Sequence, residues 1–155
     1  GLGTGPLSMA IGQQRLLGYQ RALEEFGCPF DEALIYQDAF DVASGVQCVD
    51  YFLAQKATGI CCSNDMMALG AYRECARYRL NIPEDISIVG FDNIILTEIS
   101  SPPLTTVALP IQQIAHTSVD VAIQLSENTW QGTEKQILFE PDLLTRHSTQ
   151  FLRPE

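Results

Sequence analysis

Apolar residues in this chain follow two alternating rhythms, short continuous runs and three-four spacings, and the alternation predicts strands separated by helices. Over 12–26, Leu16, Tyr19, Leu23 and Phe26 recur at three and four, one stripe of an amphipathic helix with Glu24 and Glu25 outside it. Gly27 offers a C-terminal cap and Pro29 a stop. Residues 33–36 read as a short strand. Asp41 can cap a helix over 42–55 that turns Val46, Val49, Phe52 and Leu53 inward. Residues 58–62 form an apolar run that ends abruptly in Ser63-Asn64-Asp65. A helix follows at once, to Tyr78, with Met67, Ala71, Cys75 and Tyr78 on its inner stripe and Arg73, Glu74, Arg77 and Arg79 outside. Asn81 and Pro83 close it, and 86–89 is another strand.

Strands alternating with helices of this length build βαβ units, which wind right-handed over a parallel sheet. The predicted class is α/β, a three-layer Rossmann-like parallel sheet. Beyond Asp92 the rhythm changes. Ser100-Ser101-Pro102-Pro103 is a rigid connection, because each proline lacks an amide donor and restrains its predecessor. Residues 104–109 have β character, and Pro110 stands at the first turn of a helix over 111–125. A polar loop over 126–132 precedes predicted strands at 136–139 and 143–148. The Pro102-Pro103 joint is the one plausible lobe boundary or hinge. Gly1-Leu2-Gly3-Thr4-Gly5-Pro6 reads as the tail of an upstream segment, without the strand that would make its glycines a dinucleotide loop, and 7–11 as a loop.

Composition narrows this picture. A chain of 155 residues with 46% hydrophobic content has enough material for one real core. With 9 Lys+Arg against 19 Asp+Glu, the formal charge is -10, and such a surface repels phosphate. Any DNA contact must come from another part of the protein. The 5 cysteines are odd in number and irregularly spaced, which fits reduced thiols in a cytosolic protein. No apolar run approaches a membrane span.

Templates for metal and nucleophile chemistry fail. His116 and His147 have no coordinating neighbours in sequence, no cysteine pair has zinc or redox spacing, and there is neither a G-x-S-x-G elbow nor a Walker loop. No metal, cofactor or catalytic residue is expected. A recognition set is easier to assemble, because in open α/β sheets ligands collect where strands end and helices begin. Capping needs one of Ser63, Asn64 and Asp65; a spare such as Asn64 can offer both donor and acceptor to a ligand. Asp92 either anchors its own turn or accepts hydrogen bonds from a ligand. Arg15, a cation near a helix start, opposes the helix dipole and should have a partner, either Asp92 or a ligand oxygen. Phe40, an aromatic in the polar segment 37–41, either folds onto the core or stacks on a flat ligand face. The predicted ligand-binding residues are Arg15, Phe40, Asn64 and Asp92.

Several strings in order also carry a family resemblance: Arg15-x-x-Gly18-Tyr19-x-x-Ala22-Leu23, Asp38-Ala39-Phe40-x-x-x-x-Gly45, the run from Ser63-Asn64-Asp65-Met66-Met67 through Ala71, Ile82-Pro83-Glu84-Asp85 through Gly90-Phe91-Asp92, Pro102-Pro103-Leu104-Thr105-Thr106-Val107, and Phe139-x-Pro141-x-Leu143-x-x-Arg146-x-Ser148-Thr149. Together they resemble the effector-binding domain of LacI/GalR-family bacterial transcription regulators. The resemblance covers nearly the whole chain but only the second half of such a regulator. It implies a periplasmic-binding-protein-like type I fold, truncated: 1–103 in the carboxy-terminal lobe, 104–135 a crossover and helix of the other lobe, and 136–155 a return. It implies that Arg15 grips ligand oxygens, Phe40 packs on the ligand, Asn64 and Asp92 bind hydroxyls or ring nitrogens, and Asp65 is the helix cap. A sugar or small-metabolite effector, a homodimer, cytoplasmic location and operator DNA reached only through an absent helix-turn-helix domain follow as expectations. The competing readings are a periplasmic sugar-binding protein and a Rossmann-like hydrolase or transferase.

Overall fold

The computed structural model describes residues 1–132 and 136–151; residues 133–135 of the expected crossover and 152–155 of the expected return lie outside them. Six strands form one sheet: β1 (Leu2–Thr4), β2 (Ile35–Gln37), β3 (Gly59–Cys62), β4 (Ser87–Asp92), β5 (Thr105–Ala108) and β6 (Asp142–Leu144). Their order is β2-β1-β3-β4-β5-β6, parallel throughout except for the antiparallel β5–β6 pair. Helices α1 (Ala10–Glu25), α2 (Val42–Ala54) and α3 (Asp65–Tyr78) connect the first four strands. A short α4 (Leu96–Ile99) follows β4, and α5 (Ile111–Ser126) lies between β5 and β6. The α/β class and three layers are as the rhythm predicts.

The core lies between the sheet and the α2–α3 layer. Cys48, Val49 and Phe52 of α2 and Met67, Ala71 and Cys75 of α3 pack on Ile60, Cys62 and Ile88, all essentially inaccessible to solvent. The two helices meet backbone to backbone. A Cβ at Gly45 would strike the Met67 carbonyl, and one at Gly70 the Val42 carbonyl, so glycine at both positions permits the close crossing. On the other face α1 lies along β1 and leaves an open apolar groove of about 680 Å³, floored by Cys61, Val89, Phe91 and Val107.

Several expectations need correction. Leu2–Thr4 is a buried interior strand of the sheet, registered to both β2 and β3; three residues flanked by glycines are too few to show an alternation. Residues 136–139 form no strand, and the last strand is confined to Asp142–Leu144. Phe26 is 83% exposed, because α1 ends at Glu25 and the stripe runs out before it reaches the sheet. Tyr78 is also largely exposed, with its hydroxyl donating to Asp50 Oδ1 at 2.7 Å. Glu74 is buried rather than outward, held by the Arg77 Nε at 2.6 Å. In α2 the buried stripe is Ser44, Gly45, Cys48, Val49 and Phe52, while Val46 and Leu53 are only half-buried.

Candidate functional site

Strand ends β1 to β4 share one edge, since the strands are parallel and adjacent, and every predicted site residue lies at it or on the helix above it. Arg15 sits in the second turn of α1. Its guanidinium carbon is 4.3 Å from the centroid of the Phe91 ring and 5.8 Å from that of Phe40, so the cation lies between two aromatic faces. Phe91 and Asp92 are the last two residues of β4. Phe40 follows β2, half-buried against the core, with its ring where a side chain on Gly5 would have to be.

Electrostatics ties Arg15 to Asp92. Burial pushes the Asp92 carboxyl above the usual carboxylate range; Arg15 draws it back down, and the Asp65 carboxylate pushes it further up. Burial likewise lowers the Arg15 value, and Asp92 opposes that. The two are not in an ion pair among the described residues, so each keeps hydrogen-bonding capacity facing the other across the rim.

Asn64 has a structural duty that the sequence reading assigned to Asp65. Its Oδ1 accepts the Met67 N–H at 2.8 Å, which makes Asn64 the N-cap of α3, and its Nδ2 donates to the Phe40 carbonyl at 2.9 Å. One side chain thereby starts the helix and fixes the loop that carries the aromatic; one N–H and one lone pair of its amide remain for a ligand. Asp65 is fully buried and is no cap. Its carboxylate accepts from Thr106 Oγ1 at 2.6 Å and from the Ile94 N–H at 2.9 Å, reaching across β4 to β5.

The sequence reading missed Phe91, Asn93 and Arg146 as members of this neighbourhood. Phe91 stands in the string that names Asp92, and neighbouring residues of a strand ordinarily point to opposite faces. Both nevertheless border Arg15, at a strand end where Asp92 has a positive φ of 110°. Arg146 comes from beyond β6 and binds Asn93 Oδ1 at 2.9 Å, a contact of high sequence separation that no local pattern announces.

Two hydroxyls at the strand ends, Thr4 and Ser63, are buried with no hydrogen-bond partner among the described residues, so no base is set to activate either. Among the described residues no group of three or more His, Cys, Asp or Glu side chains is placed to hold a metal ion.

Comparison with known proteins bears on this geometry. A family model described as a periplasmic binding protein-like domain matches residues 4–149. The chain belongs to that family. Its relatives are regulators of the LacI type. It is 38% identical over 138 residues to the HTH-type transcriptional regulator DegA of Bacillus subtilis (strain 168), covering 88% of this chain and 41% of that protein. Among solved structures it superposes on the transcription regulator CcpA of Lactococcus lactis with a TM-score of 0.89 at 25% identity, over 96% of this chain and 55% of that one. It also superposes on the regulator CelR in complex with cellobiose, with a TM-score of 0.85 at 28% identity, over 95% of this chain and 45% of that one. The chain thus spans about half the length of the periplasmic-binding-protein-like regulators it matches.

Proposed function

We propose that this chain is the second half of the effector-sensing domain of a bacterial transcription regulator, and that it takes a sugar or a comparably small polar metabolite. The observation that carries this is the convergence of Arg15, Phe40, Phe91 and Asp92 at one rim, with Asn64 holding the Phe40 loop. A fixed cation, a half-buried carboxylate and two aromatic faces form a recognition set for a hydroxylated ring: the ring faces stack and the charged groups read its edge. The relative CelR is known in complex with cellobiose, which is ligand chemistry of that kind.

In this reading residues 1–103 are the carboxy-terminal lobe, 104–135 the crossover and 136–155 the return. Supporting it, none of the residues of α5 is buried, although its apolar Ile111, Val119, Ile123 and Leu125 would be covered by a second lobe. The effector shifts an open–closed balance by binding the closed arrangement better, and operator DNA is touched by a separate helix-turn-helix domain. Such a regulator works in the cytoplasm, in keeping with five unpaired cysteines. It has no catalytic activity of its own. It acts as a homodimer, one contact of which is the apolar tip formed by Ile95 and Ile99, exposed by 73% and 74%.

Calorimetry on the full-length protein with cellobiose, ribose and adenine as probes tests the site. With the probe that binds, Arg15→Ala and Asp92→Ala each weaken affinity by about 30-fold, about 2 kcal/mol, as expected for loss of a charged contact in a partly dry site. Unchanged affinity in both variants removes the proposed site.

A further inference from the structure

The turn that carries Asp92 is held in an unfavourable shape. Asp92 and Asn93 both have positive φ, 110° and 57°, and neither is glycine. Consecutive residues in that region store strain and persist only where surrounding groups over-determine them. A buried carboxylate and a partly buried guanidinium supply the constraint, one from each side.

From one side comes Asp65, whose carboxylate accepts the Ile94 N–H just beyond the turn and the Thr106 hydroxyl on β5. Glycine at position 90 makes this reach possible, since a Cβ there would occupy the place of Asp65 Oδ1. From the other side comes Arg146. Its Nη2 donates to Asn93 Oδ1 at 2.9 Å, and its Nη1 to the Leu104 carbonyl at 2.8 Å and Thr97 Oγ1 at 3.1 Å. Its backbone N–H donates to Thr105 Oγ1 at 3.0 Å. Each clamp therefore has one end on the turn and the other on β5 or its entrance, and Arg146 itself belongs to the segment that follows β6. Those are the two stretches of chain that lead into α5 and back from it.

We propose that Asp65 and Arg146 are positioning residues that lock the Asp92–Asn93 turn to both connections flanking α5, so that the placement of the Asp92 carboxylate and the seating of those connections are one mechanical unit. The functional consequence rests on the effector reading of the same rim: a ligand that pulls on Asp92 pulls on the strands that join the lobes. The planar guanidinium fork matters here, because a single ammonium cannot reach Asn93, Thr97 and Leu104 at once. The buried Asp65 carboxylate needs both of its donors, since a buried charge left half-satisfied is costly.

Amide hydrogen exchange on the ligand-free full-length protein tests this. In Arg146→Gln and in the charge-conserving Arg146→Lys, the Ile94 and Thr97 amides exchange about 10-fold faster or more, while the Val49 and Phe52 amides of α2 keep their rates. Thr106→Val, nearly isosteric and on the next strand β5, accelerates Ile94 in the same way. Unchanged protection at Ile94 overturns the proposal. So does a uniform loss across all elements, which is what a merely stabilising arginine would give, and so does full recovery with lysine. The exchange experiment needs no effector. Failure of every probe in calorimetry would therefore remove the functional reading and leave the clamp standing, and the converse holds.

Discussion

Asp92 illustrates how a single group is held in tension between folding and binding. Its carboxyl is raised by burial, and Arg15 only partly offsets that. A value raised in the folded state means that the protonated form is the one folding favours. The stability it contributes is fully present below the ordinary carboxylate value, about 3.9, and is lost as pH rises through the raised one. Asp92→Asn removes that loss. The expected result in the ligand-free chain is a higher urea midpoint than the parent at pH 7, with the gap closing as pH falls toward about 4. The reverse order at pH 7 would show that attraction to Arg15 outweighs burial. Asn64 carries the opposite lesson, since its placement reads as ligand chemistry and much of its hydrogen-bonding capacity is spent on a cap and a loop.

At the scale of elements, the α2–α3 contact organises the core beneath the site. The helices approach through Gly45 and Gly70, and α3 begins at the Asn64 that fixes the Phe40 loop, so their spacing is transmitted to the rim. Gly70→Ala should destabilise the chain by about 1–3 kcal/mol in urea unfolding, since the overpacking against the Val42 carbonyl exceeds alanine's helix advantage of about 1 kcal/mol. Gly18→Ala is the matching control. It lies in α1 with nothing within 4 Å of the added Cβ, and should stabilise by up to about 1 kcal/mol. Equal effects at the two positions would mean that helix propensity, not the close crossing, decides both.

For the whole molecule, two groups among the exposed apolar residues sit on single elements, Ile95 and Ile99 at α4 and Ile111, Val119, Ile123 and Leu125 along α5. Exposure of 73% and 74% at two isoleucines one turn apart is costly in water unless another surface covers them. If the proposed homodimer uses this tip, Ile95→Asp combined with Ile99→Asp should leave the full-length protein monomeric in sedimentation velocity, where the parent is dimeric, while its far-ultraviolet dichroism is retained. A dimer that survives both substitutions would place the subunit contact elsewhere. The acidic balance of the chain adds to this picture: with a formal charge of -10, it gains nothing from lying against DNA.

Local rhythm by itself determined the α/β class, the three long connecting helices α1 to α3 and the strand ends where a ligand would be met, because amphipathic periods and turn residues are short-range properties of the chain. It also singled out Arg15, Phe40, Asn64 and Asp92 as chemically odd for their positions, and the fold brings these four to one edge. Tertiary structure alone decided the rest. Leu2–Thr4 became an interior strand only through neighbours on both sides. Asp65 left the cap to Asn64 because its own partners, Ile94 and Thr106, lie 29 and 41 residues away. Arg146 joined the turn from 53 residues beyond Asn93. Hydrogen bonds between distant residues have no period, so these roles are set by which segments the sheet happens to bring side by side.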